Sequence, residues 1–313
     1  MPINYSVARA DYIEEQTRLF LARIQRAQGV LSRAVLDDFM ASLEISGGRV
    51  STSSKNYRLI AELDKLYEAF LRGEGVDMMA DFVKRTEGLF SLNERYFSGA
   101  SNVSKSAFER AAKTTKDLVY GGLGVNHTTG KLIKGGPLTT ILNDFSPINE
   151  IKAQLFNAVA NNLLTVEARQ NVQVISTGDG KTKGSLEKHM DRTMDQPFEK
   201  FDRSTGKNLS IGLEMNFATY QGGIVPATRD FCRVRNNQVF SREEISKFGT
   251  SADAYGGYTN KGAGEFQGKC PKVGYNPFLN LGGCNCLHFL TWISDELAYH
   301  LRPELRPVEE VSQ

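Results

Sequence analysis

No stretch of this chain approaches the roughly 20 consecutive apolar residues that a membrane-spanning helix needs. Residues 1–26 carry charges throughout and have no signal-peptide core, so the chain is expected to stay where it is made, in a cytoplasm that keeps thiols reduced. A charge imbalance is also missing. Lys and Arg number 38 against 36 Asp and Glu, which gives neither a whole-chain nucleic-acid footprint nor a strongly basic membrane surface. Tryptophan is nearly absent: Trp292 stands alone, and its setting in Phe-Leu-Thr-Trp-Ile points to core packing. Cysteine is scarce too. Its four copies all fall between Cys232 and Cys286, a clustering not expected of scattered buried thiols.

What is present is helical periodicity over most of 313 residues, a length that accommodates about two domains. An amphipathic helix is expected from about Tyr12 to Ala27, ending near Gly29, and a second from Val30 to Leu43, stopped by Gly47-Gly48. Ser53 or Ser54 caps a third, in which Leu59, Leu63, Leu66 and Phe70 recur at helical spacing. Two more run from about Asp77 to Tyr96 and from Lys105 to Tyr120; their apolar stripes are those of a bundle packing on itself. Gly121 to Gly136 is a glycine-rich break. A helix follows from Pro147 to Gln170, then a polar loop over Ser176–Gly184. Ser185 opens a last long helix that places Leu186, Met190, Met194, Phe198 and Phe201 at helical period.

After Gly206 the pattern changes to alternation, with Leu213, Met215, Phe217 and Thr219 on one side of a strand and a short strand at 238–240. Ser241-Arg-Glu-Glu244 is a capping box that starts a short helix. Gly249 to Leu281 is expected to be an irregular loop held by something other than a core. The expected fold is therefore α+β and predominantly α: a helical domain over 1–120, a break, helix and linker over 121–184, and a small α+β module over 185–313.

That module holds five soft or borderline metal ligands: Cys232, Cys270, Cys284, Cys286 and His288. Zinc takes four such ligands in a tetrahedron. In an extended segment Cys284, Cys286 and His288 share one side, and Gly282-Gly283 permits a tight backbone path. The expected ligand set is Cys232, Cys270, Cys286 and His288, with Cys284 in reserve, and the zinc is structural. Free buried cysteines and a Cys232–Cys286 disulfide are the alternatives; no Cys-x-x-Cys pair decides between them.

The run Thr228-Arg-Asp-Phe-Cys232, with its following basic stretch, Val239-Phe240 and Glu244-Ile245, resembles the first half of the motif of Mu F-like bacteriophage minor head (head morphogenesis) proteins. Gly282-Gly-Cys-Asn-Cys-Leu-His288 resembles its second half, a Gly-Gly-Tyr-Asn-Cys-Arg-His run. The resemblance covers roughly the last 125 residues and puts Cys232, Cys286 and His288 on the family's shared positions. Cys284 replaces the usual aromatic and Leu287 the usual Arg, and the stretch Phe289 to Ser294 that follows the histidine lacks the customary Arg-Pro-Val close, so the chain is a divergent member by this reading. The resemblance implies a non-enzymatic virion component, at a portal vertex or inside the head, acting in head assembly or in DNA packaging and ejection. The implied partners are portal and capsid or scaffold proteins, with contact to phage DNA and oligomeric assembly at the vertex as further implications.

Two other function classes remain in view. A zinc-knuckle nucleic-acid binder would use Arg229, Arg233, Arg235 and Lys272, although few aromatics are interleaved with them. A packaged toxin- or transferase-like enzyme would need an open metal position, which a four-ligand site does not leave. Gly124-Val-Asn-His-Thr-Thr-Gly-Lys131 is one residue too long for a phosphate loop, and Leu132 stands where a hydroxyl must hold magnesium. His127, His189 and His300 read as ordinary surface or hydrogen-bonded histidines. Asp191 and Asp195 read as a solvated helix face.

Overall fold

A computed structural model of the chain describes residues 2–250, 252–253 and 274–307. The chain opens with α1 (Pro2–Arg33), which runs on through a π-helical segment (Ala34–Phe39) and a 3₁₀ turn (Met40–Ser42). The two helices expected on either side of Gly29 are thus one. The buried stripe Phe20, Ile24, Ala27, Leu31 and Val35 passes Gly29 without losing its period, and one glycine costs a helix only about 1 kcal/mol.

A two-residue hairpin follows, β1 (Ile45–Ser46) on β2 (Arg49–Val50). Its turn is Gly47-Gly48, at φ +56° and +75°, the left-handed pair that a tight hairpin turn requires. Ser53 then caps α2 (Ser54–Ala61) by accepting from the Asn56 amide, as expected. After α3 (Leu63–Phe70) a second π-helical segment, Leu71–Gly75, leads into α4 (Val76–Ala100). α5 (Lys105–Leu123) precedes the glycine-rich break. There Gly124 and Gly136 approach so closely that a side chain on either would strike the other's backbone.

Beyond the break come α6 (Pro137–Leu142), α7 (Ser146–Ala160) and α8 (Thr165–Thr177). One helix was expected over 147–170. It is divided at Asn162, which takes φ +48°, a conformation asparagine tolerates better than most residues. The last long helix is likewise two, α9 (Ser185–Thr193) and α10 (Pro197–Gly212). Gln196 adopts φ +48° and Pro197, at the first helical position, starts the new helix. The apolar period survives the bend, since Leu186, Met190, Met194, Phe198 and Phe201 are all buried.

The C-terminal part carries β3 (Phe217–Gln221), α11 (Asp230–Arg235), β4 (Val239–Ser241), α12 (Arg242–Ser246), α13 (Pro277–Asn280), β5 (Phe289–Ile293) and α14 (Asp295–Leu301). The strands form one antiparallel sheet in the order β4-β3-β5, with Phe217 opposite both Ser241 and Ile293. The Ser241–Glu244 capping box forms as expected. The alternation from Leu213 gives a shorter strand than expected, because α10 runs to Gly212. The protein is mostly helical with this small C-terminal sheet, an α+β architecture.

Contacts group the residues into two compact units, each built from separated stretches. A sheet-bearing unit gathers Met1–Glu14, Thr86–Gly121 and Gln196–Gln313; a helical unit gathers Glu15–Arg85 and Gly122–Asp195. α1 and α4 contribute to both, so boundaries drawn along the chain at 120 and 184 describe a different division. In the sheet-bearing unit, α10 packs against β5 and α13, and one buried cluster joins Leu209, Tyr220, Phe231, Cys232, Cys286 and Trp292. Trp292 is therefore core, as its sequence setting implied. In the helical unit α7 packs against α2, α8 and α9.

Candidate metal centre

Three elements of the sheet-bearing unit deliver the site. Cys232 sits in the middle of α11, Tyr220 near the end of β3, and Cys286 and His288 on the turn-rich segment between α13 and β5. That segment is not the extended strand expected for 282–288. Leu281, Gly283 and Asn285 take φ values of +45°, +90° and +58°, which coil the chain tightly before β5 begins. Cys286 and His288 still face inward while Leu287 between them is 69% exposed.

The side chains of Cys232, Cys286 and His288 converge: one ligand atom from each lies within 4.8 Å of the others. The two sulfurs are 3.7 Å apart, and Cys286 Sγ is 3.9 Å from His288 Nδ1. Two sulfurs bound to one tetrahedral zinc at about 2.3 Å would be about 3.8 Å apart, so the cysteines already span one edge of such a site. Both are free thiols, not bonded to each other. All three residues are at most 4% exposed, and His288 Nε2 is buried with no hydrogen-bond partner.

The backbone around the ligands is pinned from outside. Arg203, on α10, donates Nη2 to the carbonyls of Cys286 and of His288 (2.9 Å to the latter), and Nη1 to Leu279 O at 2.8 Å. Gln196 Nε2 also donates to Cys286 O, at 3.2 Å. The Gly282 amide donates to Cys286 Sγ at 3.3 Å, and Tyr220 Oη donates to Cys232 Sγ at 3.2 Å. Glycine is required twice at this centre. A Cβ on Gly282 would overlap Cys232 Sγ, and one on Gly222 would stand 2.5 Å from His288 Cδ2.

These contacts divide the protons unequally. The hydrogen bond from Cys232, reinforced by His288 and the Arg203 cation, holds the Cys286 thiol well below its usual value despite burial. The same hydrogen bond pushes Cys232 up, and burial adds to it. A thiol so favoured to ionise suits a metal ion, whose binding must expel the thiol protons.

Of the expected ligands, the structure thus brings Cys232, Cys286 and His288 together as one buried group able to bind a metal ion. Cys270 lies outside the described residues. Cys284, held in reserve as a substitute, is disulfide-bonded and half-buried, so its sulfur is not offered to the cluster. Arg203 and Tyr220 were not anticipated at the site, and no local pattern signals either.

Arg235 corrects another expectation. It is fully buried and so unavailable to nucleic acid. Its guanidinium lies 4.2 Å and 4.5 Å from the ring centres of Phe231 and Phe248 and makes two 2.8 Å bonds to Asp253. Arg229 and Arg233 remain exposed, and Lys272 lies outside the described residues. The would-be phosphate loop is a turn: Asn126 Oδ1 accepts from the amides of Thr128 and Thr129, and Val125 bridges Leu132. His189 is a hydrogen-bonded histidine, 3.0 Å from Ile141 O.

No protein-family model, no curated protein and no solved structure matches this chain.

Proposed function

We propose that the protein is a structural virion component, a divergent phage minor head protein of the Mu F-like kind, whose C-terminal module is clasped by a structural zinc ion. The observation that carries the reading is the meeting of Cys232 with Cys286 and His288. These residues belong to two motif halves that lie 54 residues apart in the chain, as Cys232 and Cys286 do, and they form one buried thiol–imidazole group.

Burial argues for a structural over a catalytic ion. A catalytic zinc keeps a position open to water and substrate, whereas a structural one is enclosed by protein. Zinc here would supply cross-linking, tying α11 to the segment before β5, and folding free energy with it. Cys232, Cys286 and His288 would hold it. The nucleic-acid alternative is weakened because Arg203 and Arg235 are both spent on buried partners, which leaves Arg229 and Arg233 as the exposed arginines around the centre.

The role in the head is tested by co-expressing the chain with the portal protein encoded in the same gene cluster. Co-purification that survives high salt supports the reading. A chain that ignores portal, capsid and scaffold proteins but binds DNA would replace it with the knuckle-type binder.

A further inference from the structure

The helical unit contains a cleft of about 910 Å³ that the metal centre does not use. Its size lies within the roughly 300–1,000 Å³ of small-ligand sites. Both π-helical segments reach it, one through Asp37 and the other through Glu74. Such segments concentrate at functional sites, because widening a helical turn frees backbone groups. Here Arg169 donates to the Leu36 carbonyl and to Asp37, both at 2.5 Å, and Arg23 pairs with Glu74. Asp81, the other lining carboxylate, pairs with Arg85 at 2.6 Å.

Every carboxylate lining the cleft is therefore matched by an arginine, and two more arginines remain. Arg26 and Arg33 line the same cleft, are exposed, and have no ion-pair partner among the described residues. Seven residues apart on α1, they stand on one helix face about 10 Å apart. Neither holds the fold together. Guanidinium forks match the oxygens of phosphate in pairs, and two forks rooted about 10 Å apart on one face can each take a separate phosphoryl group of one ligand.

We infer that this cleft binds a small molecule bearing two or more phosphoryl groups, an inorganic polyphosphate or a nucleoside polyphosphate, with Arg26 and Arg33 each receiving one end. The test is calorimetric titration of the full chain with inorganic tripolyphosphate and with ATP, against the R26Q/R33Q double variant and an R110Q control at an exposed position of α5. Saturable binding of either compound, weakened about ten-fold or more in the double variant and unchanged in R110Q, bears the inference out. The compound that binds more tightly names the source of the phosphates. Absence of binding at millimolar ligand, equal affinity in the double variant, or equal loss in R110Q overturns it. So does duplex DNA that binds more tightly than either compound and loses its binding with the same two arginines.

Discussion

Gly282 packs its backbone directly on the sulfur of Cys232, at a separation that leaves no room for even a methyl group. The contact couples a backbone choice to the candidate metal centre. Gly282→Ala must push α11 away from Cys286, at a cost of about 1–3 kcal/mol for overpacking. A thermal melt should fall by several degrees, and zinc content should fall with it. Gly223→Ala, where an added Cβ meets nothing within 4 Å, should leave both unchanged. Equal effects from the two substitutions would remove the special role given to Gly282.

Arg203 satisfies three carbonyls at once, those of Leu279, Cys286 and His288. Arg203→Gln should strand acceptors that each cost about 1–3 kcal/mol when buried unpaired. Chemical denaturation should show a lower midpoint, and Arg203→Lys, which keeps the charge but not the fork, should recover only part of it. Full recovery by lysine would mean that charge alone, without carbonyl geometry, is what the site uses.

Arg235 and Asp253 form a buried pair, and removing one partner leaves the other charged in an apolar setting. Asp253→Ala should destabilise by about 3–5 kcal/mol, more than the double replacement Arg235→Met with Asp253→Leu. Denaturant midpoints for the three chains check the order. Should the double variant be the least stable, the aromatic sandwich around Arg235 outweighs the ion pair.

Two phenols supply a pH dependence. Burial pushes Tyr96 and Tyr120 up to about 12 from the usual value near 10. A raised folded value favours the neutral form, so this contribution to stability is fully present below pH 10 and is lost as pH rises toward 12. Ultraviolet titration should show these phenols ionising late, together with loss of helical circular dichroism. Tyr96→Phe removes the bond to the Trp292 carbonyl, 2.6 Å long, and should lessen the alkaline loss while leaving the share of Tyr120. Early, reversible ionisation with the helices intact would contradict the burial.

Much of the fold was legible because it depends on local rules. The Ser53 cap, the Ser241–Glu244 box and the apolar stripe of α4 are each set by residues three or four apart. Breaks were harder. Gly29 reads as a stop yet is passed, since the buried stripe on both sides outweighs one flexible residue, whereas Gln196-Pro197 does divide a helix whose apolar period continues. β5 was not anticipated as a strand because Phe289 to Ile293 is buried on both faces and shows no alternation. At the candidate metal centre the three converging residues were visible by type, and the turn glycines with them. Arg203 and Tyr220 were not, because a carbonyl's donor and a sulfur's partner come from distant elements and leave no spacing to read.

The most direct measurement is zinc analysis of the purified full chain combined with X-ray absorption at the zinc edge. About one zinc per chain is expected, with a first shell of sulfur near 2.3 Å and nitrogen near 2.0–2.1 Å, and with loss of the metal in Cys286→Ser and His288→Ala. A chain that is fully folded, melts cooperatively and holds no metal, even when expressed with added zinc, would contradict this expectation.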